Sequence, residues 1–295
     1  VDIDERAAAL EQAFFAVWRG AAEVDRFCAL VLVGGLDWRD VALLRAYCRY
    51  LRQTGFPYGL DHLADTLCRH PDTAAALVAL FRMQHDPHPR EDRDAREAAA
   101  RRALDMALAR IAAPDEDRVV RRLAGLIDAT LRSNFFQAAE DGQLPATFAF
   151  KLDSAEITGP PGPIPYRETF VTGPTVEGIY LRAGAVARGG INWSDRAEDF
   201  RAEALDLLAV ETMRNAGTVP AGAAGVFVPR RRAMVAGQPY GAAAYRSFIA
   251  ALLEVTDTIE GVVVQAPANM VRRDGDDAYL AVGPGRGTAS FADLG

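Results

Sequence analysis

Lysine is almost absent from this chain of 295 residues: Lys151 is the only one, so arginine carries nearly all of the positive charge. Cysteine is scarce as well, with Cys28, Cys48 and Cys68 widely spaced and no Cys-x-x-Cys pair. Three isolated cysteines argue against a disulfide framework and are typical of reduced thiols in a cytosolic setting. We therefore expect a cytoplasmic protein with three unpaired thiols buried in helices.

Long apolar runs and a basic surface are also missing. The sequence has neither a signal peptide nor an apolar run of about 18 residues, so we predict no membrane span. A net charge of −7 argues against a nucleic-acid partner, because phosphate binding needs a basic stripe. The local run Arg230-Arg231-Arg232 is interpreted as a solvated turn. Half of the residues are hydrophobic, which is enough for one large or two ordinary domains.

Apolar periodicity divides the chain into two parts. Residues 1–140 follow helical spacing almost throughout, and we predict an all-helical domain there. Its predicted helices cover residues 7–19, 38–53, 58–70, 72–83 and 90–112, which Pro114 ends, and a last helix that Asp115 or Asp117 caps and that runs to about Gln137. Residues 141–295 mix alternating strands with two helices, 198–215 and 245–258. The predicted strands cover residues 146–157, 166–171, 176–181, 226–228, 262–264 and 279–282, with 262–264 as a buried parallel strand. The expected fold class is α+β or α/β, with an N-terminal all-helical region and then a mixed α/β domain.

The most informative stretch runs from Val186 to Val228. Its glycine pair, Arg188-Gly189-Gly190, is predicted to open a turn, and the small residues 221–225, including Gly222, a loop. Asp195 and Glu198 have the spacing of a capping box, which marks the start of the predicted helix 198–215. Arg188 and Arg214 lie at the two ends of this unit. Two guanidinium groups facing one pocket suit a dicarboxylate.

A purely structural role for the two arginines is the alternative interpretation. They are equally well explained as partners of nearby carboxylates, in which case they bind no ligand. The candidate partners are Asp195, Glu198 and Glu203.

Four segments of this sequence resemble those of a known family. The segments ARGGINWSDRAEDFRAEALDLL, RNAGTVPAGAAGVFVP, VVQAPANMVRRDGDDAYLAV and GTASFAD occur in one order. In that order they resemble the large, multidomain, bacterial-type NAD-specific glutamate dehydrogenases, over most of residues 148–293. The resemblance implies a piece of a longer protein, covering a helical region and the substrate half of the catalytic domain. It implies NAD as cofactor, bound by a domain outside this chain, glutamate or 2-oxoglutarate as substrate, and a homo-oligomer in the full-length protein.

Departures from the family pattern fall on the residues that handle protons. By resemblance, Arg188 and Arg214 keep the charge of family lysines that hold the substrate, and Gly189, Gly190 and Gly222 form the backbone around it. Ala224 stands where the family has its catalytic lysine, and Asn269 aligns with its catalytic aspartate. Neither side chain transfers a proton, so we expect this chain as it stands to be inactive. The alternative is a degenerate, non-catalytic relative that binds a dicarboxylate or serves as an assembly module.

Two further motifs are interpreted as structural. His85 and His88 have metal-ligand spacing, but the prolines between and after them indicate an exposed loop, and we predict no metal site. The run Gly283-Pro284-Gly285-Arg286-Gly287 has GxGxG and not GxGxxG spacing, and its proline removes an amide donor. It is therefore predicted to be a turn, and no cofactor-binding residue is expected in this chain.

Overall fold

The computed structural model describes residues 3–88, 92–138, 142–157, 159, 163–230 and 240–294. The chain forms two compact units: Val1–Arg52 with Phe56–Asp128, and Gln53–Gly55 with Ala129–Gly295. The first unit is helical and the second combines a sheet with helices, which confirms the predicted fold class.

The first unit is built from seven α-helices within the part of the chain that the structure describes. They are α1 (Ile3–Trp18), α2 (Ala29–Val33), α3 (Trp38–Gln53), α4 (Leu60–Arg69), α5 (Pro71–His85), α6 (Arg93–Leu108) and α7 (Pro114–Ala129). Local signals set several starts: Asp37 accepts a hydrogen bond from the amide of Asp40 at the beginning of α3, and Pro71 and Pro114 occupy first turns, where a missing N–H costs nothing. Apolar stripes of these helices form the core, among them Leu44, Tyr47, Leu63, Leu67, Leu77, Phe81, Leu104 and Val120.

The cysteines are unpaired, as predicted. Cys48 is buried, and burial raises the pKa of its thiol. Cys28 and Cys68 are only half-buried, so the expectation that all three are buried is wrong. His85 ends α5 and His88 follows in a short loop; Pro89 lies outside the described residues. No group of three or more potential ligands among the described residues is arranged to hold a metal ion.

The predicted last helix of the first region is too long. Helix α7 ends at Ala129, and strand β1 (Thr130–Ser133) follows at once. Tertiary contacts explain the strand. Arg132 is fully buried and donates hydrogen bonds to aspartates more than 120 residues away, and no local sequence pattern predicts such contacts.

The second unit is built on a mixed seven-stranded sheet in the order β1-β2-β3-β4-β6-β5-β9. Its further strands are β2 (Phe148–Leu152), β3 (Arg167–Thr172), β4 (Val176–Arg182), β5 (Ala187–Trp193), β6 (Ala221–Pro229) and β9 (Ala281–Pro284). Neighbours from β1 to β6 are antiparallel, whereas β5 runs parallel to both β6 and β9. A separate antiparallel hairpin joins β7 (Thr258–Glu260) and β8 (Val263–Gln265).

Two helices cover opposite faces of this sheet. On one face, α9 (Tyr240–Glu254) packs Tyr245 and Phe248 against Phe227 of β6. On the other, the backbone of α8 (Phe200–Arg214) lies directly against Gly222. Because side chains alternate along a strand, Gly222 and Ala224 face α8, and Ala223 and Phe227 face α9.

Three local predictions in this unit are wrong. Arg188-Gly189-Gly190 and residues 221–225 lie within strands β5 and β6, because small residues let neighbouring backbones approach without giving a strand-like pattern. Helix α8 begins at Phe200, and Asp195 does not cap it; Asp199 holds the N-cap position. Residues 262–264 are not a buried parallel strand, since Val262 is 98% exposed and Val263 begins the outer strand of the hairpin.

Within the described ranges, the helices are all too short or too polar to cross a membrane.

Candidate functional site

The parallel pair β5–β6 is the core of the candidate site. In its register Arg188 is opposite Gly222, and Gly190 is opposite Ala224. Side-chain alternation places Arg188, Gly190, Gly222 and Ala224 on the face covered by α8. The structure therefore brings together four of the residues that the sequence singled out.

Gly222 explains why α8 lies so close to the sheet. A Cβ at this position would come within 2.7 Å of the backbone carbon of Glu211 and 2.8 Å of the amide nitrogen of Thr212. Only glycine leaves room for that contact, which involves the last turns of α8. Arg214 is the final residue of the same helix. The last turn of α8, which ends at Arg214, thus lies against the strand position that pairs with Arg188.

Gly189 and Gly190 keep the middle of β5 free of side chains. A Cβ on Gly189 would clash with the carbonyl oxygen of Ala223, and one on Gly190 would lie 3.2 Å from the Cα of Gly285. The middle of β5 therefore carries no side chain on either face of the sheet, and neighbouring backbone lies close to it.

The two arginines differ in their surroundings. Arg188 is exposed, and no described residue forms a hydrogen bond or ion pair with its guanidinium group. Arg214, whose side chain is 70% exposed, forms an ion pair with Glu211 at 2.9 Å, one turn earlier on α8. An exposed pair of this kind contributes little, about 0–1 kcal/mol, and a ligand carboxylate can replace it.

The alternative partners named from the sequence are not those of the two arginines. Glu203 accepts a hydrogen bond from the hydroxyl of Ser194 at 2.6 Å. The guanidinium of Arg196 holds Asp199 at the start of α8. Both contacts organise the turn between β5 and α8 and leave Arg188 uncovered.

Ala224 is buried in the middle of β6, with 2% of its surface exposed. It pairs with Leu181 of β4 on one side and Gly190 of β5 on the other. Its methyl group faces α8, on the same side as Arg188. This position has no group that accepts or donates a proton.

Asn269 is placed elsewhere. It is exposed, has a positive φ of 54°, and lines a pocket to which no described residue of β5, β6 or α8 contributes. Among the described residues, the lining of that pocket includes neither Arg188 nor Arg214 nor Ala224. Its role as the counterpart of the family aspartate stays a prediction.

The loop 283–287 closes the carboxyl end of β9 against β5. The amide of Gly285 donates to the carbonyl of Ile191 at 2.9 Å, and that of Arg286 to the Oδ1 atom of Asn192 at 2.7 Å. The amide of Thr288 donates to Gly285. Because these donors are already used, the loop does not fit the pyrophosphate of a dinucleotide, which needs free amides.

A buried ionic cluster in the same unit was not foreseen from the sequence. It joins three cations on strands, Arg132, Lys151 and Arg182, to Asp257, Asp274 and Asp277. Burial lowers the pKa of Lys151 in spite of its aspartates. The pKa of Asp277 is held below its usual range, because hydrogen bonds from Arg182 and Lys151 outweigh the effect of burial. The only available signal was composition: one position keeps lysine in a chain that otherwise uses arginine.

Known proteins are similar to this sequence along nearly the whole chain. Residues 103–295 match the family model described as bacterial NAD-glutamate dehydrogenase, catalytic domain, and residues 22–87 match glutamate dehydrogenase, helical motif 3. The NAD-specific glutamate dehydrogenase of Halomonas elongata is 44% identical over 96% of this chain and 18% of its own length. That of Pseudomonas aeruginosa is 44% identical over 100% of the chain and 19% of its own length. That of Mycobacterium tuberculosis is 43% identical over 99% of the chain and 19% of its own length.

By its fold, this is an α+β protein: a helical unit is followed by an α+β unit that contains a glycine-rich parallel strand pair. The family follows from the matches: the chain belongs to the bacterial NAD-glutamate dehydrogenases, whose cofactor is NAD. It spans about a fifth of the length of the relatives it matches.

Proposed function

We propose that this chain is the substrate-binding part of an NAD-dependent glutamate dehydrogenase. In it, Arg188 and Arg214 hold the carboxylates of glutamate or 2-oxoglutarate. The observation that carries the proposal is Arg188: an exposed guanidinium without a partner among the described residues, opposite Gly222 in the register and on the face that α8 covers. Guanidinium–carboxylate pairs are charge-assisted and can be bidentate, which favours a dicarboxylate over a neutral ligand.

On the same face, Ala224 offers no group for acid–base chemistry. Oxidative deamination of glutamate to 2-oxoglutarate requires a protein group that moves protons at the α-carbon. The methyl group of Ala224 occupies the buried strand position where the resemblance places a lysine. The proposal is therefore binding without turnover, and the loss of members of a cooperating site lowers rates by orders of magnitude.

For the whole protein, we propose a cytoplasmic homo-oligomer in which NAD is bound by residues outside this chain. The alternative is a non-catalytic relative that serves as a dicarboxylate-binding or assembly module. The methyl side chain of Ala224, which transfers no proton, supports that alternative. Both forms of the proposal share the anion site at Arg188 and Arg214.

Calorimetry with 2-oxoglutarate tests the anion site. We expect saturable, weak binding that weakens further as salt rises from about 50 to 500 mM, because exposed charges are screened. Arg188→Ala and Arg214→Ala should each weaken binding by about tenfold or more, which corresponds to about 1.4 kcal/mol.

Arg196→Ala is the matched control for Arg214→Ala. Arg196 is exposed and forms an i,i+3 ion pair with Asp199, as Arg214 does with Glu211. The control should bind 2-oxoglutarate as the native chain does. Equal heats from the native chain and from both site variants would rule out this pocket.

A further inference from the structure

A cavity that is distinct from the face of Arg188 lies beside the carboxyl end of α9. Its volume is about 560 Å³, which is within the range of ordinary small-molecule sites. Leu144, Pro145 and Pro267 supply apolar surface, and the amides of Gln137 and Asn269 supply polar groups. Glu254 is the single charged residue among the described residues that line it. We call it the Glu254 pocket.

The carboxylate of Glu254 is held in a fixed position. Its Oε2 atom accepts a hydrogen bond from the Nδ2 atom of Asn134 at 2.5 Å. Asn134 is fully buried and is itself fixed, because it donates to the carbonyl of Thr147 and accepts from the amide of Ala149. Gln137 donates to the backbone carbonyl of Glu254 at 3.0 Å. Such support orients a ligand-binding group.

The charge of Glu254 is poorly compensated within the fold. It is the last residue of α9, and the last turn of that helix has no basic residue. A helix carboxyl end carries partial negative charge, so a cation is favoured there and a carboxylate is not. No described cation pairs with Glu254, and its one side-chain partner is the neutral amide of Asn134. Burial raises the pKa of the carboxyl group accordingly.

We propose that the Glu254 pocket binds an organic cation, a protonated amine attached to an apolar body. The ammonium group pairs with the carboxylate of Glu254 and donates to the amide oxygens of Gln137 and Asn269. The apolar body lies on Leu144 and the two prolines. A cation here compensates both the carboxylate and the helix end, which the native side chains leave uncompensated. This site has the opposite charge preference to Arg188 and does not depend on the dicarboxylate proposal.

Titration of the native chain with benzylammonium tests the charge preference, with benzyl alcohol and benzoate as probes of similar shape. Benzylammonium should bind saturably, benzyl alcohol at least tenfold more weakly, and benzoate not measurably. Chemical shifts of backbone amides near Gln137, Glu254 and Asn269 report the location. Equal affinities for the three probes, or tighter binding of benzoate, would overturn the proposal without any variant.

Glu254→Gln tests the named group, because it keeps an acceptor for Asn134 and removes the charge. Binding of benzylammonium should weaken by at least tenfold. Glu260→Gln is the matched control, since Glu260 is an exposed carboxylate on β7 that accepts from Gln265; it should bind as the native chain does. Unchanged affinity in Glu254→Gln would refute the assignment. Arg188→Ala should leave benzylammonium binding intact, which separates this test from that of the dicarboxylate site.

Discussion

Single residues set the chemistry that each part of this protein supports. Arg188 offers an exposed cation, Ala224 occupies a buried strand position without a proton-transferring group, and Glu254 places a carboxylate at a helix end that favours the opposite charge. Two other side chains, Asp40 and Lys151, are buried charges whose effect on stability is measurable.

Asp40 makes the stability of the helical unit depend on pH between about 4 and 6, with the lower stability at the higher pH. Burial, together with the neighbouring Asp37, raises the pKa of Asp40 to about 6, although Arg82 pairs with it at 2.6 Å. Because this folded-state pKa is above the ordinary value of about 3.9, the folded state binds the proton more tightly, and stability falls as pH rises from about 4 through 6.

Asp40→Asn should remove that dependence. Relative to the native chain, the variant should gain up to about 3 kcal/mol in free energy of unfolding between pH 4 and pH 7. Denaturant unfolding, followed by circular dichroism at several pH values, measures the difference. A difference that stays constant across this range would contradict the effect.

Lys151 fits a place that arginine does not. Its ammonium group lies 2.5 Å from Asp274 and also contacts Asp277, with a cavity of only about 10 Å³ beside it. Lys151→Met leaves the buried carboxylates short of a cation and should cost about 3–5 kcal/mol in unfolding free energy. Lys151→Arg keeps the charge but overpacks the site and should cost about 1–3 kcal/mol.

The control for Lys151→Arg is the reverse exchange at an exposed position. Arg196→Lys changes a half-exposed side chain paired with Asp199 and should alter stability by less than about 0.5 kcal/mol. Urea unfolding of the three variants gives the comparison. A native-like stability for Lys151→Arg would show that a single lysine is not required there.

At the level of elements, the contact between α8 and β6 positions Arg214. Gly222→Ala places a methyl group against the backbone of Glu211 and Thr212. We expect it to cost about 1–3 kcal/mol in unfolding free energy and to weaken 2-oxoglutarate binding as the helix end moves away.

Gly283→Ala is the control for Gly222→Ala in the same sheet. Nothing lies within 4 Å of the Cβ that it would add, and Gly283 pairs with Gly190 at the other side of β5. It should change stability by less than about 0.5 kcal/mol. Equal effects of the two substitutions would show that α8 does not depend on the close approach.

Elements with a clear apolar period were predictable from the sequence. Helix α3 spans Trp38–Gln53, as its pattern indicates, and β4 begins at Val176, where its pattern starts. Strand β5 was missed and β6 was predicted only over residues 226–228, because glycine and alanine carry no side-chain alternation. The run 262–264 was assigned to the core because its valines are apolar, yet it belongs to an exposed hairpin.

The candidate site was predictable only where local sequence determines it. Arg188 and Gly222 lie within the two strands that position them, so their common face follows from the register. The pairing of Arg132 with Asp274 and of Asn134 with Glu254 joins residues 142 and 120 positions apart. Contacts of that separation depend on the complete topology and have no local signature.

At the scale of the whole molecule, the two units differ in their secondary structure and in the sites that they contain. The first is a helical unit that matches a glutamate dehydrogenase helical motif, and the second contains the sheet, the Glu254 pocket, the face of Arg188 and the buried ionic cluster. The family match places both within a bacterial NAD-glutamate dehydrogenase. The proposed site combines the cations of Arg188 and Arg214 with Ala224 in β6.

Formation of NADH from L-glutamate by the full natural chain tests that combination most directly. We predict no turnover above background for the native protein, while 2-oxoglutarate still binds. Ala224→Lys, together with Asn269→Asp at the position that the resemblance aligns with the family aspartate, should gain activity, because Ala224→Lys supplies a proton-handling group on the face of Arg188. Turnover above background by the native protein would contradict the proposed loss of catalysis.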